Sequence, residues 1–157
     1  MNSPSKARWE QEPRSQFANG AAEMLDAVEV PIGMVAHAYQ VRRDARFMAK
    51  TIGFSATECD EIALVASELA MNLIRYARHG VIRLTQLEID GRRGIKIQSR
   101  DEGPGIADLT AAMVDGFSTG GGLGGGLSGV RRLVDDFEID SSPSGTNVVG
   151  CKWLKVR

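Results

Sequence analysis

The chain has 157 residues, 43% of them hydrophobic, which suffices for one domain with a substantial core. A formal net charge of −1 argues against nucleic acid or an anionic membrane as the main partner, and no apolar run approaches bilayer-spanning length. The N-terminus lacks a secretory apolar region, so the expected location is the cytoplasm.

Cys59 and Cys151 lie far apart, with no CxxC pair or histidine cluster beside them, so neither a disulfide scaffold nor a zinc site is indicated. Both cysteines read as packing residues.

Residues 1 to about 22 are rich in charge, Pro, Ser and Gly without periodicity, the composition of a disordered arm. The arm is expected over residues 1–26 and the folded domain over residues 27–157. Ala27 to Ile32 suggests a first strand, with Pro31 marking an edge or an end. A helix fits from about Tyr39 to Thr51, with Val41, Ala45, Met48 and Ile52 as its buried stripe and Gly53 as terminator.

The next helix is the best signalled element. Ser55 and Glu58 form a capping box, and Ile62, Val65, Leu69, Leu73 and Ala77 give an apolar stripe running to a stop at Gly80. Beside the stripe runs a polar row, Glu61, Glu68, Asn72, Arg75 and His79, whose spacing projects these side chains in one direction. A solvated helix face would explain such a row, but Asn72 in mid-helix has no support from helix propensity.

Val81 to Ile89 and Gly94 to Ser99 read as strands joined by a turn at Asp90-Gly91. A third helix is expected from Leu127, Val130, Leu133 and Val134. Phe137 to Asp140 and Asn147 to Val156 are strand-like runs separated by SSPSG, the second with Val149, Cys151 and Trp153 on one face. The predicted fold class is α/β: a two-layer α/β sandwich with helices on one face of a mostly antiparallel sheet.

Between these elements lies DEGPGIADLTAAMVDGFSTGGGLGGGLSG, from Asp101 to Gly129. Asp101 stands at a strand end, and Gly103 and Gly105 beside it present no Cβ, so a flat heterocycle can lie against the backbone while the carboxylate accepts from an exocyclic amine. Adenine has that shape and that donor. Six of the seven residues from Gly120 to Gly126 are glycine, and a helix follows them. Amides of such a loop, together with the helix N-terminus, favour phosphate. A flexible linker is the plain alternative, but the run sits inside a compact chain. The phosphate loop GxxxxGK[ST] is absent, and the formal GxGxxG at Gly124, Gly126 and Gly129 has no apolar strand before it.

Four segments in order then resemble the boxes of the GHKL, or Bergerat-fold, ATPases, the superfamily of gyrase B, Hsp90, histidine kinases and MutL. They are Glu68-Leu-Ala-Met-Asn72, Asp101-Glu-Gly103-Pro-Gly105, Gly122-Leu-Gly124-Gly-Gly126-Leu and Gly145-Thr146. The phrases SELAMNLIRYA, DEGPGIADL, DGFSTGGGLGGGLSGVRRLVDDFEIDS and KWL resemble the RsbT-like stressosome switch kinases of the anti-sigma regulatory factor group. The likeness runs from about Val28 to the C-terminus and leaves the arm out.

The resemblance implies ATP and Mg²⁺ as cofactors. Asp101 would hold the adenine amine, with Gly103 in the same box, Gly105 lining the base and Thr146 near it through water. Asn72 would ligate the Mg²⁺ that bridges the phosphates. Gly120, Gly121, Gly122, Leu123, Gly124, Gly125, Gly126 and Leu127 would close over them, and Glu68 would be the general base.

With only His37 and His79, no phospho-accepting hairpin and no transducer domain, the expectation is a stand-alone protein serine/threonine kinase. The implied partners are STAS-domain antagonist proteins as substrates and a PP2C-type phosphatase activated after release, with no nucleic acid and no membrane. The alternative is an anti-sigma factor that sequesters a sigma factor, with ATP as ligand only.

Overall fold

The computed structural model describes residues 23–77, 79–106, 113 and 126–155. Their strands are β1 (Glu23–Ile32), β2 (Gly80–Ile89), β3 (Arg92–Asp101), β4 (Asp136–Ser142) and β5 (Gly145–Trp153). The helices are α1 (Val35–Ile52), α2 (Ala56–Tyr76) and α3 (Gly126–Leu133). The strands form one sheet in the order β1-β2-β3-β5-β4, with every neighbouring pair antiparallel. This is the two-layer sandwich expected from the order of the elements.

Alternation along the strands sends Val30, Ile82, Leu84, Ile95, Ile97 and Val148 to the helical side. There they meet the predicted stripes, Val41, Ala45, Met48 and Ile52 of α1 and Ile62, Val65, Leu69 and Leu73 of α2. The intervening residues Leu87, Val149, Cys151 and Trp153 form a separate cluster on the opposite face.

Both bonds of the Ser55 and Glu58 capping box are present, and Asp90 and Gly91 take positive φ of 51° and 77°, as a tight hairpin turn requires.

Several boundaries differ from the sequence reading: β3 runs over Arg92–Asp101 rather than Gly94 to Ser99, β5 over Gly145–Trp153 rather than Asn147 to Val156, and three further differences have a visible physical reason. Strand β1 begins at Glu23, so residues 23–26, assigned to the arm by composition, are paired with β2; residues 1–22 lie outside the described residues. A register shift between Met24 and Asp26 breaks the alternation that would have revealed this end.

Helix α1 begins at Val35, four residues before Tyr39, behind an N-cap, Met34, that makes no side-chain cap bond. His37 Nδ1 accepts instead from the Gly33 amide at 3.0 Å, which ties the residue before the N-cap to the first turn without capping the helix. Helix α2 ends at Tyr76 rather than near Gly80, because Gly80 already pairs with Asp101 as the first residue of β2 and the chain must leave the helix before it.

Candidate functional site

At one end of the sandwich a cavity of about 310 Å³ opens between α2, the C-terminal end of β3, β5 and the start of α3. This is the lower end of the size range of small-molecule sites. Leu69, Asn72, Leu73, Arg75 and Tyr76 form the helical wall; Ser99 and Asp101 come from β3; Thr146 and Val148 come from β5. Pro104, Gly105 and Ile106 close one side, Gly126 and Leu127 another. Apolar surface dominates, and Asp101 and Arg75 are the charged side chains of the described lining.

Pairing holds Asp101 in place. It is the last residue of β3, opposite Gly80 on one side and Thr146 on the other. Its Oδ1 accepts from the Gly103 amide at 2.8 Å, which fixes the carboxylate and leaves the second oxygen for an outside donor. Gly145 lies against the Asp101 carbonyl so closely that a Cβ there would collide with it. The Gly145-Thr146 pair is therefore a packing requirement of the strand end that carries Asp101.

Gly105 turns out to be constrained from the other side of the loop. It has φ of 81°, and a Cβ would run into the Ser142 carbonyl. Its missing side chain lets the loop press onto the β4–β5 hairpin while its backbone lines the cavity. The next residue is pinned as well: the Ile106 amide donates to Ser141 Oγ at 2.7 Å, and Ser141 Oγ shares a hydrogen bond of 2.8 Å with Thr146 Oγ1.

Of the polar row on α2, Asn72 and Arg75 line the cavity. Glu68, one turn before Asn72, is 8% exposed and is not among the residues of the described lining. Glu61 belongs elsewhere, in an ion pair of 3.2 Å with Lys152 of β5, and His79 is exposed outside the cavity. The identical periodicity thus covers two environments. Leu127 is buried, and with Gly126 it puts the first turn of α3 at the cavity, with the dipole end suited to an anion. Gly120 to Gly125, Leu123 included, lie outside the described residues.

Sequence reading did not single out Ser99, Ser141 or Ile106. Ser141 in particular sits in a Ser- and Pro-rich turn signal, where nothing local points to a partner in the loop after β3.

The model of the histidine kinase-like ATPase domain matches residues 34–152, an interval that contains each of the four boxes and, of the described elements, all but β1 and the last residue of β5. The chain belongs to that ATPase family. Within it, the chain is 44% identical to the serine/threonine-protein kinase RsbT of Bacillus subtilis (strain 168) over 115 residues, covering 73% of this chain and 86% of the relative. The RsbU and RsbW domains of a Mycobacterium tuberculosis protein share the fold at a TM-score of 0.57 and 17% identity, over 84% of this chain. This chain spans 34% of that structure. It is thus an RsbT-type member of the histidine kinase-like ATPase family, and use of ATP comes with that membership.

Proposed function

We propose that this RsbT-type protein serine/threonine kinase phosphorylates a Ser or Thr of a STAS-domain antagonist protein, and that its release from that partner lets it bind and activate a PP2C-type phosphatase. The observation that carries the reading is the convergence of Asp101, Asn72 and the first turn of α3 on one apolar cavity, in a chain 44% identical to a protein kinase.

The donor set fits the cofactors. A slot walled by Leu69, Leu73, Leu127 and Val148, with a single carboxylate whose free oxygen can accept, suits the adenine ring and its amine. Asn72 offers an amide oxygen on the same wall, and among the described residues no group of three His, Cys, Asp or Glu converges on a metal. Mg²⁺ suits such a wall because it takes most of its ligands from phosphate and water. Mg-ATP, when bound, supplies the phosphoryl group and charge neutralisation at the transferring oxygens.

The chain's own residues orient and exclude water. Asp101 reads the base, Thr146 and Ser141 brace the loop under it, and Asn72 holds the phosphate end. Glu68, on the turn before Asn72, takes the proton of the acceptor hydroxyl. A buried carboxylate suits that task, because it is shielded from bulk water until a protein substrate docks.

The test is co-purification of the chain with its cellular neighbours, then transfer of radiolabelled phosphate from ATP to the STAS protein recovered. Tight association without transfer would instead make the chain a sequestering factor of the anti-sigma kind. No helix of the described residues is long and apolar enough to cross a membrane.

A further inference from the structure

Ser99 is a polar residue in an apolar row. The β3 residues on the helical side are Ile95, Ile97, Ser99 and Asp101, and the register sets Ser99 between Ile82 of β2 and Val148 of β5, both buried. Ser99 itself is 4% exposed, and among the described residues its hydroxyl makes no hydrogen bond. A buried hydroxyl left without a partner is destabilising, and alanine or valine in its place would pack without that penalty.

Its position shows where a partner would come from. Ser99 lines the cavity together with Asp101, two residues farther along the same strand and on the same face. Two other hydroxyls at this end already serve each other: Ser141 Oγ accepts from the Ile106 amide and shares a bond with Thr146 Oγ1. Asp101 Oδ1 is held by the Gly103 amide, so β3 offers the cavity one open carboxylate oxygen and one open hydroxyl. We propose that Ser99 is a second base-reading residue, its hydroxyl donating to one of the two ring nitrogens beside the amine that Asp101 accepts from.

The inference rests on the nucleotide reading of the cavity given above and adds a second contact to it. A carboxylate oxygen only accepts, whereas a hydroxyl can donate, so neighbouring side chains of β3 present an acceptor and a donor. Adenine offers the complement: an exocyclic amine that donates, flanked by the ring nitrogens N1 and N7, which only accept. Guanine carries an oxygen in place of that amine and would set acceptor against acceptor at Asp101. An adenine analogue that keeps the amine but lacks the flanking nitrogen satisfies Asp101 and leaves Ser99 unpaired, which isolates the second contact.

Calorimetry on the full-length Ser99→Ala variant should find ATP bound about threefold to tenfold more weakly than by the wild type. 1-Deaza-ATP and 7-deaza-ATP each lack one of the two nitrogens. With one of them the wild type should lose a similar factor, and Ser99→Ala should then make no further difference. The wild-type measurement needs no variant and decides the matter if Ser99→Ala does not fold: analogues that both bind like ATP overturn the proposal. So does a Ser99→Ala loss of equal size with ATP and with both analogues, which would make the hydroxyl a packing group. Asp101→Asn, titrated alongside, keeps the two assignments apart. If it weakens ATP binding while Ser99→Ala does not, Ser99 fails and the base reading by Asp101 stands. If neither substitution moves ATP affinity, the nucleotide reading of this cavity fails and Ser99 falls with it.

Discussion

The Ile106 amide and the Ser141 hydroxyl meet at 2.7 Å and tie the loop after β3 to the far end of β4. With Thr146 bonded to the same hydroxyl, three separate segments share one fastening beneath the cavity. Ser141→Ala removes it and leaves a partly buried amide without an acceptor, a loss of about 1 kcal/mol or somewhat more. Thermal denaturation should register a small drop, and calorimetry a nucleotide affinity several-fold weaker. A variant with wild-type affinity would show that the loop keeps its place by packing alone.

Asp101→Asn preserves the shape of the strand end but exchanges an acceptor oxygen for a donor. The variant amide and the adenine amine would then face each other as two donors. The expected penalty is about 1.5 to 3 kcal/mol, roughly tenfold to a hundredfold in ATP affinity. Since the sheet pairing of Asp101 is through its backbone, the fold should be untouched. Calorimetry returning the wild-type affinity would remove Asp101 from the base-reading role.

Glu68 and Asn72 lie on successive turns of α2, and their substitutions should separate chemistry from binding. Glu68→Gln keeps size and hydrogen bonding but cannot take a proton, so phosphoryl transfer to the partner should fall roughly a hundredfold to ten-thousandfold while Mg-ATP affinity holds. Asn72→Ala should weaken nucleotide binding itself, and only in the presence of Mg²⁺. Full transfer by Glu68→Gln would end the general-base assignment.

Burial pushes the Cys151 thiol up from 9.0 to about 12, with Lys96 acting in the opposite direction. Below pH 9 the thiol is protonated whether the chain is folded or not, and the native state suffers no penalty. Between about pH 9 and 12 the unfolded chain releases the proton and the folded chain keeps it, so stability declines by up to about 1.4 kcal/mol per pH unit. The difference in denaturation midpoint between wild type and Cys151→Ala, followed from pH 8 upward, should therefore develop a slope of one proton. Parallel curves would mean that the thiol ionises freely in the native state.

What could be read from the residues was what local chemistry decides. The Ser55 and Glu58 box is a reciprocal pair of bonds between residues three apart, and the Asp90-Gly91 turn is a backbone requirement, so both were legible without any knowledge of the rest. So were the stripes of α1 and α2 and the alternation of Val149, Cys151 and Trp153. Long-range partners were not. Glu61 and Glu68 look alike in the polar row, but Lys152 arrives from β5 to claim the first and leaves the second buried near the cavity. Gly105 suggested room for a ligand, whereas the closest neighbour of its missing Cβ is the Ser142 carbonyl, brought there by the β4–β5 hairpin. The start of α1 was illegible for a different reason: its N-cap, Met34, carries no capping group, and the bond from the Gly33 amide to His37 is not a recognised cap pair.

The two edges of the sheet bear on how the molecule can assemble. Strand β1 carries Pro31, which has no amide to offer, and a register shift near its start; β4 is seven residues long and bears Asp136, Glu138 and Asp140. Neither edge is a good template for another strand, so growth by sheet extension, the route to irreversible fibrous aggregates, is discouraged at both ends. A protein that leaves one partner for another, as proposed above for this chain, gains from this. Its contacts are steered toward side-chain surfaces, which can let go, rather than toward a continuous backbone ladder, which releases slowly.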